Sequence, residues 1–377
     1  MGYTQEQLEK QEMAKNFAKK ELNDERIQYE SKRYRFDILW RRCAKFGLFS
    51  LIVPEKFGGM QEDIMGIAAI MEGMGSGVDS ANILFAANVH IFACMEPILE
   101  FATEAQIRQL IPGMMNGERV GAHAISEEEA GSDVWNLKCT YEETEDGYVL
   151  NGIKNYVTNA PYADTYIVYA RKKGTRGFMG VSAFIIEKET PGFETGQWIE
   201  KMGMELSPMA SIYLNQCVVR KDQMLGAEGQ GMTIFNTTME YERTFLLAYQ
   251  VGIMERQLDR CAAFAKNRKQ FGEAIIKFES VGNRLAEMKV RLEASKLFMM
   301  NVAQEKLEGK SIYLSSSIAK LYISESLVKN SLDAMETYGA CGYIKEYRIE
   351  EALRDSIGSR IYSGTSDIQR NIIANML

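Results

Sequence analysis

The 377-residue sequence predicts an α+β protein of three domains, in the order helical, β and helical. Two observations predict this order. Hydrophobic residues recur every three or four positions in the first and last parts of the chain, and every second position between them. No proline follows Pro208, so long helices can form after it. The total length of 377 residues suggests two or three domains. We place their boundaries so that the domains are residues 1–118, 119–225 and 226–377.

The N-terminal segment has the helical period from about Thr4 to Gly117. Its most apolar stretch, 81–95, is 15 residues long and contains Asn82, Asn88 and His90. A membrane span needs about 20 apolar residues, so we predict a buried helix here. The first ten residues contain no apolar signal core, and we therefore expect a cytoplasmic protein that is neither exported nor anchored.

The central segment alternates polar and apolar residues, for example at Tyr148 and Leu150 and again at Tyr166 and Val168. This alternation is typical of strands with one buried face. The pairs Asp146-Gly147 and Asn151-Gly152 are typical of two-residue hairpin turns. Together these features predict an antiparallel β domain.

A long helix is predicted from about Met232 to Lys266, and its core-facing stripe contains a carboxylate, Glu242. Burying an ionised carboxylate is costly, so its pKa should rise or it must find a partner. A carboxylate with a raised pKa can act as a general base. Two alternatives are an ion pair with a buried arginine of another helix and a rotated helix that exposes Glu242. The stripe consists of Phe235, Met239, Glu242, Leu246, Tyr249 and Ile253.

Two loops could bind a ligand. The segment 124–133 (AISEEEAGSD) contains three adjacent glutamates and is predicted to be a solvated loop, whose Gly131 allows close approach of a ligand to the backbone. The segment 362–368 (YSGTSDI) opens the last helix, where Thr365 or Ser366 can form the cap. Free N–H groups in a first helical turn suit a phosphate, although capping alone also explains these residues.

Composition excludes several function classes. The chain has 44 Lys and Arg against 51 Asp and Glu, a net charge of −7 and a pI near 5.3, which argues against nucleic-acid binding. Six scattered cysteines without a CxxC pair indicate reduced thiols. With two histidines and no zinc spacing, we expect no metal site.

Five motifs, in this order and spacing, resemble the acyl-CoA dehydrogenase flavoprotein family, including its branch that acts on prolyl or other amino-acyl carrier proteins. They are GERVGAHAISEEEAGSD, NGIKNYVTNAPYADTYIV, RKQFGEAI, METYGACGY and RDSIGSRIYSGTSDIQR. The resemblance runs from about Leu39 to the end of the chain. It implies an N-terminal helical domain, a central β-barrel-like domain and a C-terminal four-helix bundle. It also implies FAD between the last two domains and a homotetramer or homodimer.

The resemblance also implies which residues hold FAD, each matched to a motif position. They are Ile125, Ser126, Gly131 and Ser132 at the flavin and pyrophosphate, Tyr156 and Thr158 at the isoalloxazine ring, Arg268 and Phe271 at the FAD of a neighbouring subunit, Glu336 to Gly339 at the ADP portion, and Thr365 and Asp367 in the C-terminal loop. Two departures are Glu128-Glu129, where the family usually has Pro-Gly, and Glu336, where Gln is common.

The implied reaction is FAD-dependent α,β-dehydrogenation of an acyl or amino-acyl thioester carried on coenzyme A or on the phosphopantetheine of a carrier protein. Most members take their base from the first Glu of YEGTSEIQ, but that position here is Ser363. A minority place the base on the long helix directly before an arginine, and Glu242 precedes Arg243. The resemblance therefore selects the same carboxylate as the apolar stripe. It places Ser132, Arg243, Ser363 and Gly364 beside the substrate, and oxygen or an electron-transfer flavoprotein is the implied electron acceptor.

Two other functions are compatible with this fold. A flavin-dependent monooxygenase would act without a thioester, and it leaves Glu242 without a role. A non-catalytic flavoprotein that protects DNA carries a basic C-terminal extension, whereas this chain is acidic. We therefore expect a dehydrogenase that has no nucleic-acid or membrane partner.

Overall fold

The computed structural model describes residues 2–24 and 31–377. The described N-terminal part of the chain, up to the first strand, is helical, as predicted. Thr4 caps its first helix, since its side chain accepts a hydrogen bond from the N–H of Gln7. The helices are α1 (Gln5–Phe17), α2 (Lys32–Phe46), α3 (Ile64–Gly77), α4 (Asn82–Asn88), α5 (Glu96–Phe101) and α6 (Glu104–Met115).

Helices α4 and α5 are joined by a π-helical segment, Val89–Met95, into one helical stretch of 20 residues. Within the described residues it is the one helix long and apolar enough to cross a membrane, and 94% of its apolar window is buried inside the protein. The prediction of a buried helix is confirmed. His90 on this stretch accepts a hydrogen bond from the N–H of Gly121 at 2.8 Å, which joins the helical domain to the sheet.

The central domain is a β domain, as predicted, but its eight strands form one mixed sheet and not a wholly antiparallel one. The strand order is β6-β7-β3-β2-β4-β5-β8, and β1 pairs with β4. The pairs β1·β4 and β2·β4 are parallel, because the chain reverses once from β2 to β3 and again from β3 to β4. The strands are β1 (Gly121–Ala124), β2 (Thr140–Glu143), β3 (Gly147–Thr158), β4 (Thr165–Lys172), β5 (Val181–Glu187), β6 (Phe193–Thr195), β7 (Met209–Arg220) and β8 (Met224–Leu225).

One of the two predicted hairpin turns is wrong. Asp146-Gly147 does lie at the turn between β2 and β3, where the N–H of Thr144 donates to the carbonyl of Gly147. Asn151-Gly152 instead lies inside β3, where the register against β7 shifts. Gly152 has φ +151°, and a Cβ there would lie 2.7 Å from the Cα of Cys139. This glycine therefore serves a bulge and a close backbone approach instead of a turn.

The C-terminal part is helical and is built around one long helix, α7. This helix spans Gly231–Asn267, within one residue of the prediction, and its 37 residues reach about 55 Å. It packs against α3, α8 and α9 and so lies at the centre of the bundle. A short hairpin of β9 (Lys269–Gln270) and β10 (Glu273–Ala274) follows it. The remaining helices are α8 (Glu279–Leu307), α9 (Tyr313–Tyr338), α10 (Ile349–Gly358) and α11 (Ser366–Ala374).

Candidate active site

The carboxylate predicted on the core face of α7 is buried there. Glu242 is 6% exposed, and Met239, Leu246, Tyr249 and Ile253 of the same stripe are buried; Phe235 is half-buried. Burial raises the pKa of Glu242, while a hydrogen bond and neighbouring positive charges oppose that rise. The alternative of a rotated helix that exposes Glu242 is wrong.

The hydrogen bond comes from the C-terminal loop. The hydroxyl of Ser363 donates to Oε1 of Glu242 at 2.5 Å, across 121 positions of sequence. Ser363 has φ +55° and Gly364 has φ +86°, so the loop turns sharply at this point. Arg243 donates through Nε to the Ser363 carbonyl at 3.3 Å. Four predicted site residues therefore come together: Glu242, Arg243, Ser363 and Gly364.

Aromatic side chains and amides hold this loop against α7. Tyr362 stacks on Phe85 with ring centroids 4.4 Å apart, and its hydroxyl accepts a hydrogen bond from Gln250 at 2.7 Å. Gln369 donates to the carbonyls of Ser363 and Gly364 at 3.2 and 3.0 Å. The predicted cap is present too, because the Thr365 side chain accepts from the N–H of Ile368. These contacts fix Ser363 on Glu242.

The acidic loop before the sheet is not wholly solvated, and the prediction is wrong for Glu127. This carboxylate is 6% exposed and pairs with Lys154 of β3, which is fully buried, at 2.6 Å. It also accepts the backbone N–H groups of Lys138 and Cys139 at 2.5 and 3.0 Å. A buried carboxylate is tolerated when it is paired and hydrogen-bonded in this way. The other two acids, 128 and 129, are exposed as predicted.

The same lysine fixes the predicted flavin-contact residues. Lys154 donates to the carbonyl of Ile125 at 3.1 Å, and the Ser126 carbonyl accepts from the N–H of Asn155 at 2.8 Å. The 125–132 loop is thereby attached to β3. Further along β3, Tyr156 has φ +59° and is 63% exposed, whereas Thr158 is buried.

A second group of predicted residues lies at the other end of α7. Arg268 and Phe271 belong to the β9–β10 hairpin, and Phe271 is 94% exposed. Phe264 stacks on Tyr338 at 4.1 Å, which brings this end of α7 beside the end of α9, where Glu336 and Gly339 lie. Glu336 forms an ion pair with Arg284 at 2.9 Å.

The two groups do not meet within one chain. Arg268 is 26 residues after Glu242, which corresponds to about 39 Å along the helix axis. A single bound molecule in contact with both groups would therefore have to lie between two copies of the chain. This is the arrangement that the resemblance implied for Arg268 and Phe271.

Several local features fit a flavin nucleotide. A Cβ added at Gly131 or Gly339 would meet no heavy atom within 4 Å, so ligand atoms can approach the backbone there. The hydroxyl of Ser366 is buried without a hydrogen-bond partner at the start of α11, and Ser132 is exposed. Asp367 is exposed and pairs with Arg370. Within the described ranges, no group of three His, Cys, Asp or Glu side chains could hold a metal ion.

Five buried charged groups among the described residues were missed from the sequence: Glu72, Glu96, Lys154, Lys320 and Asp355. On α9 the buried neighbours of Lys320 at helical spacing are Ser316, Ser317, Ile323 and Ser324. This face is mostly polar in sequence, so it lacks the apolar stripe that identified Glu242. Lys154 lies on a strand that is bulged, where alternation no longer indicates which side chains are buried.

Family models cover almost the whole chain. They are the N-terminal, middle and C-terminal domains of acyl-CoA dehydrogenase, at residues 4–118, 122–217 and 229–377. An L-prolyl-[peptidyl-carrier protein] dehydrogenase of Pseudomonas fluorescens is 37% identical over 92% of each chain. The caffeyl-CoA reductase-Etf complex subunit CarC of Acetobacterium woodii is 32% identical over 97% of this chain and 96% of its own.

Solved structures agree in fold and size. The prolyl acyl carrier protein oxidase AnaB superposes with a TM-score of 0.96 at 40% identity, covering 100% of this chain and 99% of its own. PigA with FAD and proline superposes with a TM-score of 0.95 at 34% identity, covering 100% and 98%.

Proposed function

The chain belongs to the acyl-CoA dehydrogenase family, and within it we propose that the substrate is a small amino-acyl thioester, such as a prolyl group, on the phosphopantetheine of a carrier protein. The reaction itself is FAD-dependent α,β-dehydrogenation of an acyl or amino-acyl thioester. The observation that carries the assignment of residues is the buried Glu242 carboxylate and its hydrogen bond from Ser363.

Glu242 acts as the base that removes the proton from Cα. Its burial raises its pKa, and a stronger base takes a carbon-bound proton more readily. Ser363 orients the carboxylate through the 2.5 Å hydrogen bond, and Arg243 holds the Ser363 carbonyl from the other side. Bound FAD supplies the acceptor for the hydride that leaves Cβ. Ser132 and Gly364 lie beside the substrate in this proposal.

The residues that would hold FAD are the two groups described above. In the proposal, one chain contributes the 125–132 loop, β3 and the start of α11, and a neighbouring copy contributes the β9–β10 hairpin and the end of α9. The proposal therefore includes an assembly of copies, a homodimer or homotetramer, in which the exposed Phe271 of one copy contacts the FAD of another. The residues are Ile125, Ser126, Gly131, Ser132, Tyr156, Thr158, Thr365 and Asp367 from one copy, and Arg268, Phe271, Glu336 and Gly339 from the other.

A small acyl group is supported by the rings around Glu242. Phe85 stacks on Tyr362, next to Ser363, and Phe92 stacks on Phe245, one helical turn after Glu242. Packed aromatic rings leave less room for a long chain than small or aliphatic side chains do. A prolyl relative at 37% identity and AnaB at 40% support the same choice.

For the electron acceptor we propose oxygen or an electron-transfer flavoprotein. AnaB is named an oxidase, and the Acetobacterium relative is a subunit of an Etf complex. Comparing oxygen uptake with reduction of a purified electron-transfer flavoprotein during turnover decides between the two. We also propose a cytoplasmic location, which is supported by six free cysteines, five of them buried.

The test is anaerobic bleaching of the flavin absorbance by a panel of thioesters. We expect a prolyl carrier protein to bleach the flavin and prolyl-CoA to do so far more slowly. Glu242→Gln should retain the yellow cofactor and lose bleaching, by at least about 10³-fold. Ser363→Ala should still bleach.

Glu240→Gln is the matched control, since it makes the same change two residues earlier on α7, and it should bleach at the wild-type rate. Bleaching by Glu242→Gln together with loss in Ser363→Ala would contradict the assignment of the base. Equal rates for the carrier-protein and CoA esters would contradict the proposed substrate class.

A further inference from the structure

A second charged residue is buried close to the Glu242 region. Lys320 on α9 is 0% exposed, and its Nζ has no hydrogen-bond partner. Helix α9 packs directly on α7, the helix that carries Glu242. An ammonium group has three donors, and burying it without acceptors is costly. A nearby negative charge would offset the cost of burying this ammonium group.

The charged groups that act on Lys320 come from three places. Glu242 and Arg243 belong to α7, Glu325 belongs to α9, and Arg360 follows α10. Glu325 is paired with Arg360 at 2.9 Å, so its charge is largely balanced. Glu325 and Glu242 both act on the lysine, and of these two acids Glu242 forms no ion pair within the described residues.

The influence is mutual. The groups that act on Glu242 are the hydroxyl of Ser363 and the charges of Arg243 and Lys320. The charge of Glu242 also raises the pKa of two buried tyrosines, Tyr169 of β4 and Tyr249 of α7.

Gln257 of α7 donates to Ser331 of α9, and Phe264 stacks on Tyr338 at the same offset of 74 positions. This register places Lys320 about one helical turn from the level of Glu242.

We propose that Lys320 is a positioning residue for Glu242, whose buried positive charge keeps the carboxylate ionised and so sets the lowest pH at which proton removal occurs. The proposal rests on the proposed function of Glu242 as the base. It assigns Lys320 no contact with substrate or cofactor.

Burial shifts the pKa of both Lys320 and Glu242, and the charge of each group acts on the other. Burial, reinforced by Arg243, lowers the pKa of Lys320 to about 7. Burial raises the pKa of Glu242 above its ordinary value, and Lys320 is among the charges that oppose this rise. Titrating groups that interact are coupled, so losing one charge moves the titration of the other. Loss of the lysine charge removes an influence that lowers the pKa of Glu242, and that pKa should rise.

The test compares pH profiles of flavin reduction in Lys320→Met, Lys320→Arg and wild type. The acidic limb should move to higher pH by about one unit in Lys320→Met, and Lys320→Arg should restore it. Lys320→Met should melt no lower than wild type, because it removes a buried amine without partners. Lys320→Gln, also uncharged, gives the same comparison if the methionine variant does not fold.

Lys296→Met is the matched control. Lys296 lies on α8 and pairs with Glu72 at 2.9 Å and with Glu255 at 3.1 Å. Its loss leaves a buried carboxylate unpaired, so this variant should melt at a lower temperature and keep its acidic limb unchanged. An unmoved limb in folded, yellow Lys320→Met or Lys320→Gln overturns the proposal, and so does a limb moved equally by Lys296→Met.

A second readout needs no substrate. Difference infrared spectroscopy follows protonation of buried carboxyl groups with pH, and the band lost in Glu242→Gln identifies Glu242. Its titration midpoint should be about one unit higher in Lys320→Met than in wild type. If no thioester reduces the wild-type flavin, the proposed function fails, and this midpoint still decides the role of Lys320.

Discussion

Ser363 and Glu242 are 121 positions apart in sequence and 2.5 Å apart in space. Most members of the family have their base at the first of these positions, and a minority have it at the second. Here the serine hydroxyl donates to the carboxylate that we propose as the base. Glu242 was predicted from the sequence, and Ser363 was identified as unable to serve as base. Their contact could not be predicted, because spacing does not give the distance between side chains 121 positions apart within the C-terminal domain.

The hydrogen bond should tune the pH dependence of the reaction. A hydrogen bond donated to a carboxylate favours its charged form, and the Ser363 bond lowers the pKa of Glu242. Ser363→Ala should therefore raise that pKa and move the acidic limb of flavin reduction to higher pH by about half a unit to one unit. Stopped-flow reduction between pH 5 and 9 measures the limb. Movement of the limb to lower pH would contradict this explanation.

Glu96 gives a prediction about stability. It is 5% exposed, Oε2 has no hydrogen-bond partner, and burial raises its pKa to about 8. Between its ordinary pKa and about pH 8, the folded state holds a proton that the unfolded state has released. The contribution of this group to stability therefore falls as pH rises through that window.

Glu96→Gln cannot ionise and should avoid this loss. Relative to wild type, we expect it to gain on the order of 3 kcal/mol between pH 5 and pH 8, measured by urea denaturation. Glu145→Gln, on an exposed residue, is the control and should show no such gain. A constant difference across pH would mean that Glu96 is ionised in the folded protein.

At the scale of elements, the buried Lys154–Glu127 pair attaches strand β3 to the loop that precedes the sheet. Lys154→Met leaves Glu127 buried without its cation, which should cost about 3–5 kcal/mol in the free energy of unfolding. FAD affinity should fall as well, because the Ile125 carbonyl loses its hydrogen bond from Lys154. Chemical denaturation and flavin-release titration measure the two effects.

The double variant Lys154→Met with Glu127→Gln distinguishes the effect of the unpaired charge from the effect of altered packing. It removes both charges, and most of the lost stability should return. If the double variant is as unstable as Lys154→Met, the lysine acts through packing and not through charge.

Elements with a clear period were predicted well. Helix α7 was placed within one residue, because its apolar stripe continues over many turns. Local departures from the periodic pattern were not predicted. Asn151-Gly152 is a turn pair in composition but lies within β3, since the twelve-residue strand continues through it as a bulge. Glu127 was assigned to a solvated loop, and the sequence did not show the tertiary partners that make its burial tolerable, namely Lys154 and two backbone N–H groups.

At the scale of the whole molecule, the exposed hairpin residue Phe271 should hold copies of the chain together. Phe271→Asp places a charge on that surface, and we expect a smaller assembly together with weaker FAD binding. Light scattering after size-exclusion chromatography and the ratio of flavin to protein absorbance measure these effects. Leu8→Asp, on an exposed apolar residue of α1, is the control and should change neither. An unchanged assembly size would show that the hairpin is free in solution.

Helix α7 carries Glu242 in its first third and ends about 38 Å further along its axis at Asn267, four residues before Phe271. In the proposed assembly, each flavin contacts the Glu242 region of one chain and the Phe271 hairpin of another. One chain can then carry a substitution at Glu242 while the other carries a substitution at Phe271. Mixed assemblies of Glu242→Gln and Phe271→Asp chains would then contain some centres in which both contributors are intact. Two inactive polypeptides produced together in one cell should therefore complement each other and recover part of the turnover that neither has alone.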